Sequence, residues 1–133
     1  SVPRFTNWTP YAEQPWRNAP RLPGVVETRN SNTKEHTFIG SATGGTGIQG
    51  YIERRDPVDN WDNLSGYEKE LSNPGGTLEV RYAVADSKEQ AEQQRNLLIH
   101  KYREEQGRLP LGQRQTPRLC PRGRSGGCSI CKE

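Results

Sequence analysis

Residues 22–40 read Leu-Pro-Gly-Val-Val-Glu-Thr-Arg-Asn-Ser-Asn-Thr-Lys-Glu-His-Thr-Phe-Ile-Gly, and this stretch decides the fold. Two short apolar runs, one beginning at Gly24 and one ending at Gly40, flank a polar Asn-Ser-Asn. Asparagine favours turns because it tolerates left-handed backbone and hydrogen-bonds its own main chain. The pattern predicts a β-hairpin with strands near 24–29 and 35–40. Glycine at each outer end permits close approach of another backbone or a ligand, or serves the geometry of the hairpin alone.

Four further segments are predicted between the hairpin and the long helix. Residues 41–50 contain four glycines, which predict a loop whose backbone can approach a phosphate, or a flexible connection. Residues 51–55 predict a short helical turn, and apolar residues at helical spacing predict a helix over 59–71. Alternating apolar and polar residues over 77–84 predict a half-buried strand.

The last predicted element is a long helix that ends near Gln106. Asp86 and Glu89 have the spacing of a capping box, and Gly107 is a natural residue for the helix end. Ala91, Leu98 and Tyr102 lie on one stripe beside Leu97, which is expected to face the sheet. The predicted fold class is therefore α+β, with a small three-stranded antiparallel sheet flanked by helices.

The composition predicts one domain with a small core. The chain has 133 residues, of which 29% are hydrophobic, and it contains 14 glycines and 10 prolines. We expect a domain over 1–113, which includes an extended proline-rich arm over 1–23, and a tail over 114–133. The aromatic residues of the arm are expected to pack on the sheet or a helix, with stacking on nucleobases as the alternative. These residues are Phe5, Trp8, Tyr11 and Trp16.

Charge and cysteine content restrict the classes of protein. The formal net charge is +3, so the field of the whole molecule is modest. Three cysteines, an odd number, argue against a closed disulfide framework and favour an intracellular, reducing compartment. No segment is apolar enough for a transmembrane helix or a signal peptide, although a targeting segment could have been removed.

The hairpin carries a resemblance to a known family. The triplet Gly24-Val25-Val26, followed after eleven residues by Phe38-Ile39-Gly40, resembles the paired signature of the GIY-YIG nuclease superfamily. The predicted order of elements is also that of a GIY-YIG domain. Residues 107–113 resemble the segment after the long helix in the GIY-YIG-like domain that precedes some plant glutaredoxins. By element order, the resemblance covers residues 20–113.

This resemblance implies hydrolysis of phosphodiester bonds with Mg²⁺ or Mn²⁺ as cofactor. The family uses two motif tyrosines, an arginine of the first helix, a glutamate of the long helix and a late asparagine. Val26 and Phe38 stand where the family has its tyrosines, and neither side chain can transfer a proton. His36 or Tyr51 is therefore the candidate substitute, since either can act as an acid or base.

The other family roles fall on three regions of the chain. Arg54 or Arg55 fills the arginine role, and the second of the pair faces solvent because adjacent helical residues point in different directions. Arg95 occupies the usual glutamate position, so Glu92, one turn earlier, is the preferred metal ligand, with a solvated helix charge as the alternative. Gln113 stands for the late asparagine.

The tail adds a second set of candidates. It contains five basic residues and one acidic residue, so we expect it to be flexible and to bind phosphates in a salt-dependent manner. Cys120, Cys128 and Cys131 have the spacing C-x7-C-x2-C, which is compatible with Zn²⁺ if a histidine completes the site, or with free thiols.

Two function classes follow from these observations. The first is a divergent metal-dependent endonuclease that acts on nucleic acid, with DNA expected before RNA. The second is a catalytically inactive GIY-YIG-like module that binds nucleic acid or protein, since a fold does not fix a function. The distinguishing feature is whether His36 or Tyr51 faces Arg54 or Arg55, and Glu92, across one cleft.

Overall fold

The computed structural model describes residues 3–55 and 78–110, in which four strands form one antiparallel sheet. The strands are β1 (Thr9–Pro10), β2 (Gly24–Asn30), β3 (His36–Ala42) and β4 (Leu78–Val84). Their order across the sheet is β1-β4-β2-β3, so β2 is central and β3 lies at an edge. The α+β class is confirmed, but the predicted number of strands was wrong by one, because the arm contributes β1.

The predicted hairpin is confirmed, and β4 pairs with its first strand. In the register, Val26 lies between Gly40 of β3 and Tyr82 of β4. The side chain of Asn30 accepts hydrogen bonds from the backbone of the following turn, as expected for asparagine. The left-handed residue of this loop is Lys34, with φ of 66°, rather than an asparagine.

Glycine is required at both outer ends of the hairpin for steric reasons. A Cβ atom on Gly24 would overlap the carbonyl oxygen of Ala83 and the side chain of Ile48. A Cβ atom on Gly40 would overlap the hydroxyl group of Tyr51. The close approach predicted at these ends is therefore real, and at Gly40 the approaching group is a side chain of the first helix.

The two α-helices of the described residues cover opposite faces of the sheet. Helix α1 (Gly47–Glu53) buries Ile48 and Ile52 on what we call the α1 face. Helix α2 (Lys88–Gln106) buries Ile99 on what we call the α2 face. On the α1 face the sheet and the arm contribute Tyr11, Ala19, Val26, Ala42, Leu78 and Val80. On the α2 face the partners are Val25, Ile39, Phe5, Leu98, Tyr102 and Leu109.

The glycine-rich stretch is more ordered than the sequence predicted. Residues 41 and 42 continue β3, and α1 already begins at Gly47, so only residues 43–46 connect the two elements. The prediction of a loop over 41–50 was wrong because Ile48 is fully buried, and such burial outweighs the poor helix propensity of glycine. Gly47 has φ of 60° and touches the backbone of Arg21 and Leu22, which excludes a side chain there.

The start of α2 lies one residue later than predicted. Ser87, not Asp86, is the N-cap, and its hydroxyl group accepts a hydrogen bond from Gln90 N at 3.0 Å. Gln90 in turn accepts a hydrogen bond from the backbone of Asp86, so Glu89 has no capping role. Gly107 ends the helix with φ of 75°, as predicted. The predicted helix over 59–71 lies outside the described residues.

The arm wraps the sheet but is not wholly extended. Short 3-10 helices at Tyr11–Glu13 and Pro15–Asn18 follow β1, because Pro15 can begin a helical turn without losing a hydrogen bond. Tyr11 is buried in the core and Trp16 packs against it, which confirms the predicted packing of the arm aromatics. Among the described residues, no helix is long and apolar enough to cross a membrane.

Candidate nucleic-acid interface at the edge strand

The edge strand β3 meets the first helix at Gly40. The hydroxyl group of Tyr51 lies against Gly40, whose register partner is Val26. The guanidinium carbon of Arg55 lies 4.5 Å from the ring centroid of Phe38 and 5.8 Å from that of Tyr51. The structure therefore brings Tyr51 and Arg55 together beside Gly40 and Phe38, near the two positions that the resemblance aligned with motif tyrosines, and the phenol hydroxyl at this place comes from α1.

Arg54 and Arg55 are divided between two environments, as predicted. They follow α1 in a turn, where Arg55 is half-buried on the aromatic rings and Arg54 is exposed. Arg54 Nη1 donates a hydrogen bond to Thr46 Oγ1 at 3.1 Å, in the loop that follows β3. Thr46 also occupies the space beside Gly50, so a side chain at that position would displace it. The exposed guanidinium is therefore held near the C-terminal end of the edge strand.

A second cation reaches the end of the edge strand from the opposite face. Arg95 Nη1 donates a hydrogen bond to Ser41 Oγ at 3.1 Å, and Arg95 Nε donates to Asn96 Oδ1 at 3.0 Å. Ser41 follows Gly40 directly, so its side chain points to the α2 face while Tyr51 covers the α1 face. Within the described residues, neither Arg54 nor Arg95 forms an ion pair, since each donates to neutral oxygens only.

Among residues 3–55 and 78–110, Glu92 forms no hydrogen bond or ion pair with this cluster. It is exposed on α2, the helix that packs on the face opposite Tyr51 and Arg55. Arg95 is the residue of that helix that reaches the end of β3. The structure therefore brings together Tyr51 and an arginine, Arg55, but not Glu92. From α2, which was expected to supply the carboxylate, it is the arginine Arg95 that reaches β3.

His36 lies at the other end of β3, in a separate cluster. Its Nε2 atom is 3.3 Å from Glu27 Oε1, and its ring makes edge-on contacts with Trp8 and Tyr102. Glu27 is only 2% exposed and also accepts hydrogen bonds from Arg81 at 2.6 Å. The sheet presents Glu27 on the α2 face, so His36 and Tyr51 do not share a cleft.

The residues predicted to bind metal fall partly inside and partly outside the described part of the chain. Residues 3–55 and 78–110 contain no group of three histidine, cysteine, aspartate or glutamate side chains that could hold a metal ion. Gln113 and the zinc candidates Cys120, Cys128 and Cys131 lie outside the described residues. Binding of Mg²⁺ or Mn²⁺ by Glu92 and of Zn²⁺ by the tail therefore stay predictions.

Sequence reasoning did not identify Arg95, Ser41 and Thr46 as members of the site. The occupation of the family's glutamate position by Arg95 was visible in the sequence. Its contact with β3 was not, because that contact depends on the rotation of α2 about its own axis. Comparison of the chain with protein-family models, with curated proteins and with solved structures finds no match.

Proposed function

We propose that this chain is a GIY-YIG-like module that binds the phosphate backbone of nucleic acid and does not cleave it. The observation that carries the proposal is the position of Arg95. It stands where the resembling family has its metal-binding glutamate, and its guanidinium group bonds to Ser41 at the end of the edge strand. A fixed positive charge at this place repels a divalent cation and attracts a phosphate.

The arginines near the end of β3 have the chemistry that a phosphate requires. Arg54 and Arg95 donate to hydroxyl groups of Thr46 and Ser41, which are neutral acceptors. A phosphate oxygen is a stronger acceptor for a guanidinium group than a hydroxyl oxygen is, and it can accept two parallel hydrogen bonds. The ligand therefore exchanges weak hydrogen bonds for charge-assisted ones, and the surplus of arginine in residues 114–133 supports the same partner.

A second candidate function is slow, metal-dependent cleavage, and Tyr51 favours it. Its hydroxyl group lies against Gly40, next to the strand positions that lack the motif tyrosines. With Arg55 beside it, a bound phosphodiester would have both a proton-transfer group and a positive charge close by. Glu92 of α2 would then bind Mg²⁺ or Mn²⁺. This requires the carboxylate of Glu92 to approach the bound phosphodiester from the α2 face of the sheet.

The binding experiment compares arginines that donate to hydroxyl groups with an arginine that pairs with a carboxylate. Arg54→Ala and Arg95→Ala remove hydroxyl-bonded arginines, and Arg108→Ala removes an exposed arginine that pairs with Glu35 at 3.2 Å. Each variant lowers the formal net charge by one unit. Fluorescence anisotropy with labelled DNA and RNA, repeated over a range of salt concentrations, should show weaker binding for the first two, and a salt slope reduced by about 1 for each.

The control decides whether the binding is local. Equal losses for Arg108→Ala would assign binding to the diffuse charge of the molecule and would contradict a site at the edge strand. Absence of binding even at low salt would contradict the nucleic-acid proposal as a whole. A plasmid-nicking assay with Mg²⁺ or Mn²⁺ tests the second candidate, in which Tyr51→Phe, Arg55→Ala and Glu92→Gln should each lower turnover about 100-fold or more.

A further inference from the structure

A cavity of about 260 Å³, partly open to solvent and lined by both polar and apolar groups, lies between the arm and β4, at the side of the sheet away from β3. Its floor includes Val80 and Tyr82 of β4. Both residues belong to the α1 face, where Tyr82 is half-buried beside the core. The cavity is smaller than the roughly 300–1,000 Å³ of sites for drug-sized ligands, so its size suits one ring system.

Four solvent-exposed polar side chains of the arm line this cavity without a protein partner, so they are available to a ligand that displaces water. They are Asn7, Glu13, Gln14 and Asn18, and within the described residues none of these side chains forms a hydrogen bond or an ion pair. Three are amides, which both donate and accept, and Glu13 as a carboxylate only accepts. No lysine or arginine lines the cavity, so its chemistry suits a neutral ring with N–H donors rather than a phosphate.

The backbone fixes the shape of this cavity. Thr6 N donates to Tyr82 O at 2.9 Å, and Tyr82 N donates to Thr6 Oγ1 at 3.1 Å, so the arm is tied to the floor. Gln14 has left-handed backbone, with φ of 52° and ψ of 60°, where the two 3-10 helices meet. That conformation is unfavourable for a residue with a side chain, and such residues concentrate at ligand-binding turns. It places Glu13 and Asn18 on either side of the turn.

We propose that this cavity binds one nucleobase that carries an exocyclic amino group. The inference extends the proposed function, because it assigns the base of a bound strand to a site separate from the one for its phosphates. The ring of Tyr82 offers a surface for the base, and aromatic side chains commonly receive unstacked bases in this way. Glu13 accepts from the amino group, while the amides of Asn7 and Asn18 contact the ring edge. Arg4 and Arg17, both exposed, lie within two residues of the lining, where they could reach the adjoining phosphates.

The test uses the full chain and nucleosides, which have no phosphate. Titration calorimetry or saturation-transfer NMR with cytidine, adenosine, guanosine and uridine should show millimolar binding of the three that carry amino groups. Uridine should bind about fivefold more weakly, which corresponds to about 1 kcal/mol. Glu13→Gln should reduce this difference, because a neutral amide oxygen is a weaker acceptor than a carboxylate, and Asn18→Ala should weaken the binding of all four nucleosides. Glu105→Gln, a change of an exposed carboxylate on α2, is the matched control and should have no effect.

The outcomes separate this inference from the proposed function. If Arg95→Ala abolishes binding of oligonucleotides but leaves binding of cytidine unchanged, the two sites are distinct, as proposed. If oligonucleotides bind through Arg95 and no nucleoside binds, the cavity is not a base site, although the phosphate site stands. Equal binding of uridine and cytidine, or of methyl glucoside and cytidine, would also overturn the inference, because the cavity would then not recognise an amino-bearing base.

Discussion

Four arginines on the two sides of this sheet show how one side chain serves two purposes. Arg29 and Arg81, on the α2 face, each pair with a carboxylate and stack on an aromatic ring of the arm. In the part of the chain that the structure describes, Arg54 and Arg95, near the C-terminal end of β3, donate only to neutral oxygens. The first two have their charge neutralised inside the fold, whereas the second two have no carboxylate partner among the described residues.

The paired arginines hold the arm on the sheet. The guanidinium carbon of Arg81 lies 4.1 Å from the centroid of Phe5 and 4.6 Å from that of Trp8, while Arg29 lies 4.2 Å from Trp8. Cation–π contacts of this kind contribute about 0.5–2 kcal/mol, depending on how far water is excluded. The arm and the ion pairs therefore stabilise each other, since the rings shield the charges from solvent. Basic residues next to aromatic rings, which often indicate nucleic-acid binding, have a structural role here.

The largest effect is expected at Arg81. Arg81→Leu keeps an apolar stem but removes both hydrogen bonds to Glu27, which is 2% exposed. A buried carboxylate without its partner costs about 3–5 kcal/mol, so urea denaturation should show a loss of stability in that range. The remaining neighbour, His36 at 3.3 Å, is too distant to replace two short bonds. A loss below about 1 kcal/mol would mean that the pair is no stronger than an exposed ion pair.

A smaller loss is expected at Arg29, whose partner is less deeply buried. The carboxylate of Glu79 is 10% exposed, so water can reach it when Arg29→Leu removes the guanidinium group. We expect a decrease of about 2 kcal/mol in the free energy of unfolding, measured beside Arg81→Leu under the same conditions. Trp8 fluorescence should also change, because its ring loses a cation. Equal losses for the two variants would show that burial of the carboxylate does not control the cost.

The sheet was largely predictable from local sequence. Alternating apolar residues and the Asn-rich turn located β2, β3 and β4, because a half-buried strand must repeat every two residues. Strand β1 was not predicted, since it contains Pro10 and a proline argues against a strand. The pairing of β1 at the sheet margin agrees with the confinement of proline to edge strands, but only the folded arm shows that an edge is available there.

The start of α2 shows a limit of local rules. Asp86 with Glu89 and Ser87 with Gln90 both fit the spacing of a capping box, one residue apart. Choosing between them requires the direction in which the chain leaves β4, which the sequence does not encode locally. Local sequence also did not predict all contacts at the candidate site, for the same reason. Tyr51 and Arg55 were recognised as candidates from residue type, whereas the contact of Arg95 with Ser41 depends on how α2 packs.

The smallest effect on stability is expected for Arg54 and Arg95, and this result would complete the comparison. Each variant to alanine leaves behind only neutral acceptors, a hydroxyl group for Arg54 and a hydroxyl group and an amide oxygen for Arg95. Water can solvate these groups because Arg54 is exposed and Arg95 is partly exposed. The free energy of unfolding should therefore change by no more than about 0.5 kcal/mol, as is usual for surface positions. The measurement is urea denaturation of both variants beside Arg81→Leu and Arg29→Leu.

The combination of stability and binding then decides the role of these residues. An arginine that serves a partner should lose affinity for nucleic acid without losing stability, and its effect on affinity should fade as salt screens the phosphate. An arginine that serves the fold should show the reverse pattern. If Arg95→Ala cost as much stability as Arg29→Leu, its bond to Ser41 would be structural, and weaker binding could then reflect a displaced α2. Retained stability with weakened binding at low salt would instead place the charge of Arg95 in the interface.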